Sequence, residues 1–309
     1  MLKVSVILPT HDRPDILVRA ARSVLTQALL PHEFIIVNDG ESDLPPRLAE
    51  DIQAAGVRFR AVRSNIASLP RSRNLGAAAA TGDVIVFIED DLILPKDYLR
   101  RLVDLYEADR DGVVCGIGAV VIESESRGLR GRLWDFLARV SGLECWRPRC
   151  CAARYVELPP PLRGRLMPAQ RLYGGGMSLR RTVAAAEKFD DALAGYALGE
   201  DLAFSYRVGR RRALFVAPEL EVIHAAAGAG RPEMKARGRM YVANSLFIAR
   251  RSVEGGAGTW LLVGFELAGT LFRYAIWGLL GFNRGALRFA VGAAGELARS
   301  AARNARRLL

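Results

Sequence analysis

Five short runs rich in β-branched residues, Val4 to Leu8, Phe34 to Val37, Val57 to Val62, Val84 to Ile88 and Val113 to Val121, alternate with stretches of helical periodicity, and no other feature narrows the fold as far. The stretches between them, Asp15 to Gln27, Pro46 to Ala55, Leu69 to Ala80 and Pro95 to Ala108, mostly open on Pro or Asp, residues suited to a first helical turn. Strands that are apolar along their whole length are buried on both faces, and strands joined through helices run parallel. The expectation is an α/β protein with a mostly parallel sheet covered by helices. Ligands of such sheets sit beyond the carboxyl ends of the strands. Three polar clusters fall there: Pro9, Thr10, His11 and Asp12 after the first run, Asn38, Asp39 and Gly40 after the second, and Glu89, Asp90 and Asp91 after the fourth.

The 309 residues are 50% hydrophobic and 25% charged, enough apolar matter for one large domain or two and too much for a disordered chain. A formal net charge of +11 calls for an acidic partner: phosphates, nucleic acid or an anionic membrane surface. Only four of the 44 cations are lysine, and Arg is scattered instead of gathered into a basic tract. With no zinc finger, RNP-like aromatic motif or G-x-x-G clamp, nucleic acid is not an expected partner. Cys115, Cys145, Cys150 and Cys151 form no C-x-x-C pair and have no His at ligand spacing, which argues against structural zinc. The first apolar run ends at Pro9 without a cleavage-site pattern. No signal peptide is expected, and reduced thiols with a cytoplasmic site are the simplest reading.

Three carboxylates at the tip of a buried strand repel one another unless a cation neutralises them, and hard oxygen ligands suit Mg²⁺ or Mn²⁺ completed by substrate phosphates. Alternation turns Glu89 and Asp91 one way and Asp90 the other. An acidic loop capping the helix that opens at Pro95 would account for the triplet alone, as a turn would for Asp39 before Gly40 and a helix start for Glu200 and Asp201. Their company points further. Pro9 and Thr10 are followed in order by Val37 to Ser42, Arg71 to Gly76, Thr81 to Asp83, the acidic triplet, Gly174 to Arg181 and Gly199 to Arg207. In that order the chain resembles a family 2 glycosyltransferase with the GT-A fold, from roughly Val4 to His224.

The resemblance implies a nucleotide pocket lined by Pro9, Thr10 and Asp39, with Asp39 accepting hydrogen bonds from the base and Arg73 supporting the pocket. It places Glu89 and Asp90 with the nucleotide sugar, and Asp91 and His224 on a divalent cation, Mn²⁺ or Mg²⁺. Gly175 and Gly176 would let the backbone pass close to sugar donor and acceptor. Glu200 and Asp201 would form the catalytic pair, Asp201 as the general base that takes a proton from the acceptor hydroxyl. The chain departs from the family pattern in carrying Glu89 for the more usual first Asp, Asn38 for a common Asp and Ala67 where Gly is typical. The reaction implied is metal-dependent, inverting transfer of a sugar from a nucleotide-diphosphate sugar to a hydroxyl acceptor, such as a lipid-linked glycan. Two other readings stay open: a nucleotidyltransferase acting on a sugar phosphate, and a non-catalytic nucleotide- and membrane-binding module.

Residues 1–228 read as the GT-A-like catalytic domain, with an irregular Arg-rich insertion over 124–171 that includes Pro159, Pro160 and Pro161. A polar helix is expected from about Arg231 to Arg251, and residues 229–309 as a whole read as helical and membrane-associated. The apolar stretch 259–283 is long enough to cross a bilayer, yet Glu266 and Arg273 interrupt it. Each central charge opposes insertion by roughly 2.5 to 3.5 kcal/mol. Their seven-residue spacing puts both on one face, which allows pairing inside a bundle or an interfacial helix, and the interface is favoured. Trp260 and Trp277 would then be aromatic anchors and the Arg-rich tail a contact with anionic lipid. A soluble helical subdomain or a dimer contact is the alternative. The location that follows is the cytoplasmic face of the cell membrane, peripheral or monotopic.

Overall fold

The computed structural model describes residues 1–123, 128–141, 156–193, 195–225, 232–252 and 257–305. Strand β1 (Val4–Thr10) is buried at all seven positions. Helix α1 (Pro14–Leu25) begins on its proline, with Asp15 in the first turn and Arg22 in the last, as the helix dipole favours. There follow β2 (Glu33–Asn38), α2 (Pro46–Ala54), β3 (Arg58–Arg63), α3 (Leu69–Ala79), β4 (Val84–Ile88), β5 (Leu92–Ile93), α4 (Tyr98–Ala108) and β6 (Gly116–Glu123). Beyond α5 (Gly128–Val140) come β7 (Met167–Pro168), β8 (Gly176–Arg180), α6 (Arg181–Ala186), α7 (Glu200–Gly209) and β9 (Leu214–His224). The last three helices are α8 (Met234–Ser252), α9 (Ala257–Leu279) and α10 (Arg284–Ala305).

The chain divides into two compact units, one of residues 1–124, 153–195 and 200–230, the other of 125–152, 196–199 and 231–309. The first unit is built on one sheet of order β3-β2-β1-β4-β8-β6-β9-β5, with β7 added beside β9. From β3 to β4 every pairing is parallel, as the helix-linked runs predict. The β8 strand enters antiparallel to both β4 and β6, which brings the glycine-rich segment before it beside the carboxyl end of β4. Full coverage of the sheet fails at β3, where Arg58, Arg60 and Arg63 are exposed. Charges on an edge strand oppose its pairing with another chain.

Helix α3 lies closest to the sheet at Gly76, where a Cβ would meet Ile7 Cγ2 at 2.4 Å and Val37 Cγ2 at 3.2 Å. Because α3 also carries Ser72 and Arg73, this close approach sets the height of two site residues above β1 and β2. Gly76→Ala should therefore destabilise the fold by about 1–3 kcal/mol through overpacking, read as a lower urea midpoint at unchanged slope. Glu33 holds the turn before β4: its Oε1 accepts hydrogen bonds from the Ser5 hydroxyl and the Thr81 N–H, each at 2.5 Å.

The second unit is mainly helical in its described residues. The expected irregular insertion contains α5, whose Leu133, Phe136, Leu137 and Val140 recur at helical spacing. Residues 142–155 of that insertion lie outside the described residues. The two charges of α9 face inward: Glu266 is fully buried and Arg273 is 5% exposed. The Tyr241 hydroxyl donates to Glu266 Oε1 at 2.7 Å, while Arg273 donates to Ser141 Oγ at 2.9 Å and lies 4.9 Å over the Trp134 ring. Burial holds the Arg273 pKa below its ordinary value, against the opposing influence of Tyr274, Tyr241 and Glu266. Trp277 departs from its expected anchoring role, because it is buried against Trp134 and Phe282. In the tail, Arg299 and Arg303 both pair with Glu296, at 2.7 and 2.8 Å. No helix among the described residues is long and apolar enough to cross a membrane.

Candidate active site

The first unit gathers its polar residues where the parallel half of the sheet ends. After β1 the chain turns at Asp12, whose φ is 50° and whose carboxylate accepts the N–H of Ser42, from the loop after β2, at 2.7 Å. After β2 comes Asp39, with its side chain 7% exposed. Its Oδ2 accepts the Ser68 N–H and the Ser72 hydroxyl, both at 2.9 Å, and its Oδ1 faces His11 Nδ1 at 3.0 Å. The backbone N–H of Asp39 donates to Thr10 O at 3.1 Å, so the first two loops are tied together. Ser68, Ser72 and His11 carried no signal of this role in the sequence, since the contact spans about thirty residues on each side.

The acidic triplet splits as strand alternation predicts. Asp90 turns inward: it is 1% exposed, accepts the Thr10 hydroxyl at 3.0 Å and pairs with Arg13 at 2.8 Å. This pair lacks hydrogen-bond alignment at Asp90 Oδ1, so the contact is chiefly one of charge. Burial raises the Asp90 pKa to about 6 despite Arg13 and Thr10, which act the other way. Expected beside the nucleotide sugar, Asp90 and the Thr10 hydroxyl are instead spent on each other. Asp91 turns the other way and lies 3.5 Å from His224 Nε2, with Arg13 at 3.8 Å. His224 closes β9 in register with Leu92 of β5, and that pairing brings the imidazole to Asp91.

Glu89 meets Arg73, which is fully buried and donates to Glu89 Oε1 at 2.9 Å. The same guanidinium contacts Glu200 Oε1 and lies 5.4 Å from the Phe189 ring centre. Burial pushes the Glu89 pKa up, with Asp91 and Asp201 adding to the rise and Arg73 opposing it. Glu200 is 4% exposed, so its place is that of a counter-charge to Arg73. A Cβ at Gly174 would come within 2.6 Å of the Arg73 guanidinium, and one at Gly175 within 2.5 Å of Leu92 and 3.2 Å of Glu89. At Gly176 the neighbour is Ala119, at 3.0 Å. The close approach expected here toward a ligand is thus made by the protein's own side chains.

Asp201 stands in the first turn of α7. Its Oδ1 accepts the Leu202 N–H at 2.8 Å, and its Oδ2 accepts the Gly174 N–H at 3.2 Å and Arg171 at 3.3 Å. Burial would raise its pKa, but Arg171, Arg73 and the two N–H groups overcome that and hold it below the ordinary carboxylate range. Tyr173 is the reverse case, pushed well up by burial and by the charges of Glu89, Asp91 and Asp201. Arg13 and Arg171 are further residues that sequence reasoning passed over. Arg13 directly follows the first loop and could have been flagged by position, whereas Arg171 is one arginine among many.

A cation would find two protein donors here. Asp91 Oδ1 is buried without a hydrogen-bond partner, and the His224 imidazole stands beside the same carboxylate. Among the described residues no group of three His, Cys, Asp or Glu side chains is assembled for a metal. The pair fits an ion that takes its remaining ligands from phosphate and water, the usual habit of Mg²⁺.

The sheet, the inserted β8 and the carboxylates at the ends of β2, β4 and the start of α7 define a protein of GT-A fold. Residues 5–156 match the sequence model described as glycosyl transferase family 2. A glucosyl-dolichyl phosphate glucuronosyltransferase of Haloferax volcanii is 34% identical over 122 residues, covering 39% of this chain and 39% of that protein. The chain spans well under half the length of the curated relatives it matches. Among solved structures, S. aureus TarS 1–349 aligns over 90% of this chain and 74% of that one, with TM-score 0.55 and 13% identity. A mannosyltransferase of Pyrobaculum calidifontis, PcManGT in complex with GDP-Man and Mn²⁺, aligns over 97% and 75%, with TM-score 0.55 and 14% identity. At these identities the structures establish likeness of fold.

Proposed function

We propose that this protein is a metal-dependent inverting glycosyltransferase that moves a sugar from a nucleotide-diphosphate sugar to a hydroxyl of a glycan or lipid-linked acceptor, at the cytoplasmic face of a membrane with an anionic surface. The observation that carries this reading is the buried carboxylate of Asp201, which accepts Arg171 and two N–H groups beside the strand ends that carry Asp39, Glu89 and the Asp91–His224 pair. The match to the family 2 model and the lipid-phosphate term in the name of the Haloferax relative support transfer and a lipid-linked acceptor respectively.

Each group has a distinct task in this scheme. Asp39 accepts a hydrogen bond from the base through the second lone pair of Oδ1, which His11 Nδ1 also faces, since Oδ2 already takes Ser68 and Ser72. Asp91 and His224 would hold a divalent cation, in keeping with the Pyrobaculum protein's complex with GDP-Man and Mn²⁺. When bound there, such an ion neutralises charge on the departing diphosphate. Asp201 takes the proton as the acceptor oxygen attacks the anomeric carbon from the face opposite the departing diphosphate. That single displacement inverts the anomeric centre.

The test is a screen of purified protein against UDP-, GDP- and dTDP-sugars with and without Mn²⁺ or Mg²⁺, reading nucleoside diphosphate release and binding. Release from one sugar donor should require the metal, and Asp91→Ala should weaken metal-dependent binding by at least about 10–100-fold, the range seen for groups that support metal ligands. Absence of binding to every sugar donor in every metal would overturn the proposal. Pyrophosphate release from a nucleoside triphosphate would replace it with nucleotidyl transfer.

A second prediction concerns pH. A base with a depressed pKa is active above that value and fails as pH falls through it, so the acid limb of the transfer rate should lie at or below the ordinary carboxylate range. Arg171→Gln removes the largest opposing charge, and the acid limb should move upward while the alkaline side stays in place. An unchanged acid limb would detach Arg171 from the ionisation of the base.

A further inference from the structure

With Glu266 and Arg273 turned inward, α9 presents an outward face without charge. Leu261, Phe265, Phe272 and Leu279 are 74%, 53%, 63% and 75% exposed. At 3.6 residues per turn their spacing keeps them within roughly 40° of one line, over about 27 Å of helix. Gly264 and Ala268, also exposed, fill the gaps between them. Soluble surfaces scatter such residues singly, and a continuous stripe marks something that covers it.

Charge decides among possible occupants. Immediately after α9, the exposed side of α10 carries Arg284 and Arg288 with Leu287 and Val291 at helical spacing. Arg288 lies 3.7 Å from Glu233, and both side chains are largely exposed. A second copy would set this arginine-edged face against another chain of net charge +11. An anionic bilayer surface supplies hydrocarbon for the stripe and phosphates for the arginines at once. No described helix is long and apolar enough to span, so a helix lying in the interfacial plane is the geometry that uses this face.

We infer that the stripe Leu261, Phe265, Phe272 and Leu279, edged by Arg284 and Arg288, docks the protein onto an anionic membrane surface with α9 parallel to it. This deepens the membrane-surface part of the proposed function and does not depend on the sugar-transfer chemistry.

Full-length protein is sedimented with sucrose-loaded vesicles of phosphatidylcholine, with and without phosphatidylglycerol. The parent protein should bind the anionic vesicles, and Phe265→Ser with Phe272→Ser should lower its partition at least about tenfold. Arg284→Gln with Arg288→Gln should lower binding to anionic vesicles by about tenfold and leave the neutral-vesicle baseline in place. Melting temperatures should match the parent, since every substituted side chain is exposed. Parent protein left in the supernatant with both vesicles would overturn the inference, as would a Phe double variant that binds like the parent. So would a dimer by light scattering that the Phe double variant converts to monomer, for the occupant would then be a second copy. Nucleoside diphosphate release measured on the same samples reports the transferase reading separately.

Discussion

Asp201→Asn should leave nucleotide-sugar binding close to that of the parent protein and lower sugar transfer by about 10²–10⁴-fold, the usual contribution of a positioned general base. The substitution preserves size and removes the ability to take a proton. Both oxygens of Asp201 accept N–H groups, from Leu202 on one side and from Gly174 and Arg171 on the other. An amide presents an acceptor to only one side, so its NH₂ must face an N–H donor across the site. That mismatch costs about 1–3 kcal/mol of stability, which a denaturant titration separates from the loss of turnover. The decisive pair of measurements is binding of the intact sugar donor and single-turnover transfer. Transfer at the parental rate would remove Asp201 from the role of base, whereas lost binding would make it part of the nucleotide pocket.

Arg73→Met should be the most destabilising of the substitutions considered, by about 3–5 kcal/mol, because it leaves buried negative charge without its partner. Arg73 is fully buried and is shared by Glu89 and Glu200, with Phe189 against its guanidinium. The loss should depend on pH with a definite sign. Burial already raises the Glu89 pKa above its unfolded value, and removal of Arg73 takes away the largest influence that lowers it. The native state then binds more protons than the unfolded state over the window between the two values. Stability therefore falls as pH rises through that window and recovers as pH falls through it. Urea midpoints taken between neutral and acidic pH should show the gap between variant and parent narrowing on the acid side. A gap that widened there would mean that Arg73 is held by something other than its two glutamates.

Much of this site could be read without coordinates because its chemistry is concentrated at strand ends. The apolar runs locate the strands, alternation separates Asp90 from Asp91, and the separate strand-end positions of Asp39 and Asp91 bring them to one edge of the sheet. Arg73 illustrates where that reading weakens. The family resemblance places Arg73 in support of a nucleotide pocket, but its burial and its bridge from Glu89 to Glu200 depend on Gly76 letting the helix settle against Ile7. The glycines at 174 and 175 show the same limit, since a missing Cβ signals a close approach without naming what approaches.

The sequence by itself determined the α/β architecture, the strand-end carboxylates and the helical character of residues 229–309, because these follow from local periodicity and from which residues can lie in a buried strand. It also determined that Glu266 and Arg273 share one face of α9, since their spacing is two helical turns. Which way that face points was decided only by tertiary structure. Tyr241 and Ser141, 25 and 132 residues away from their partners, supply the hydrogen bonds that make burial of the two charges tolerable. A buried charge without such partners would cost several kcal/mol, so the inward orientation depends on contacts that no local pattern encodes. The same contacts turn Leu261, Phe265, Phe272 and Leu279 outward.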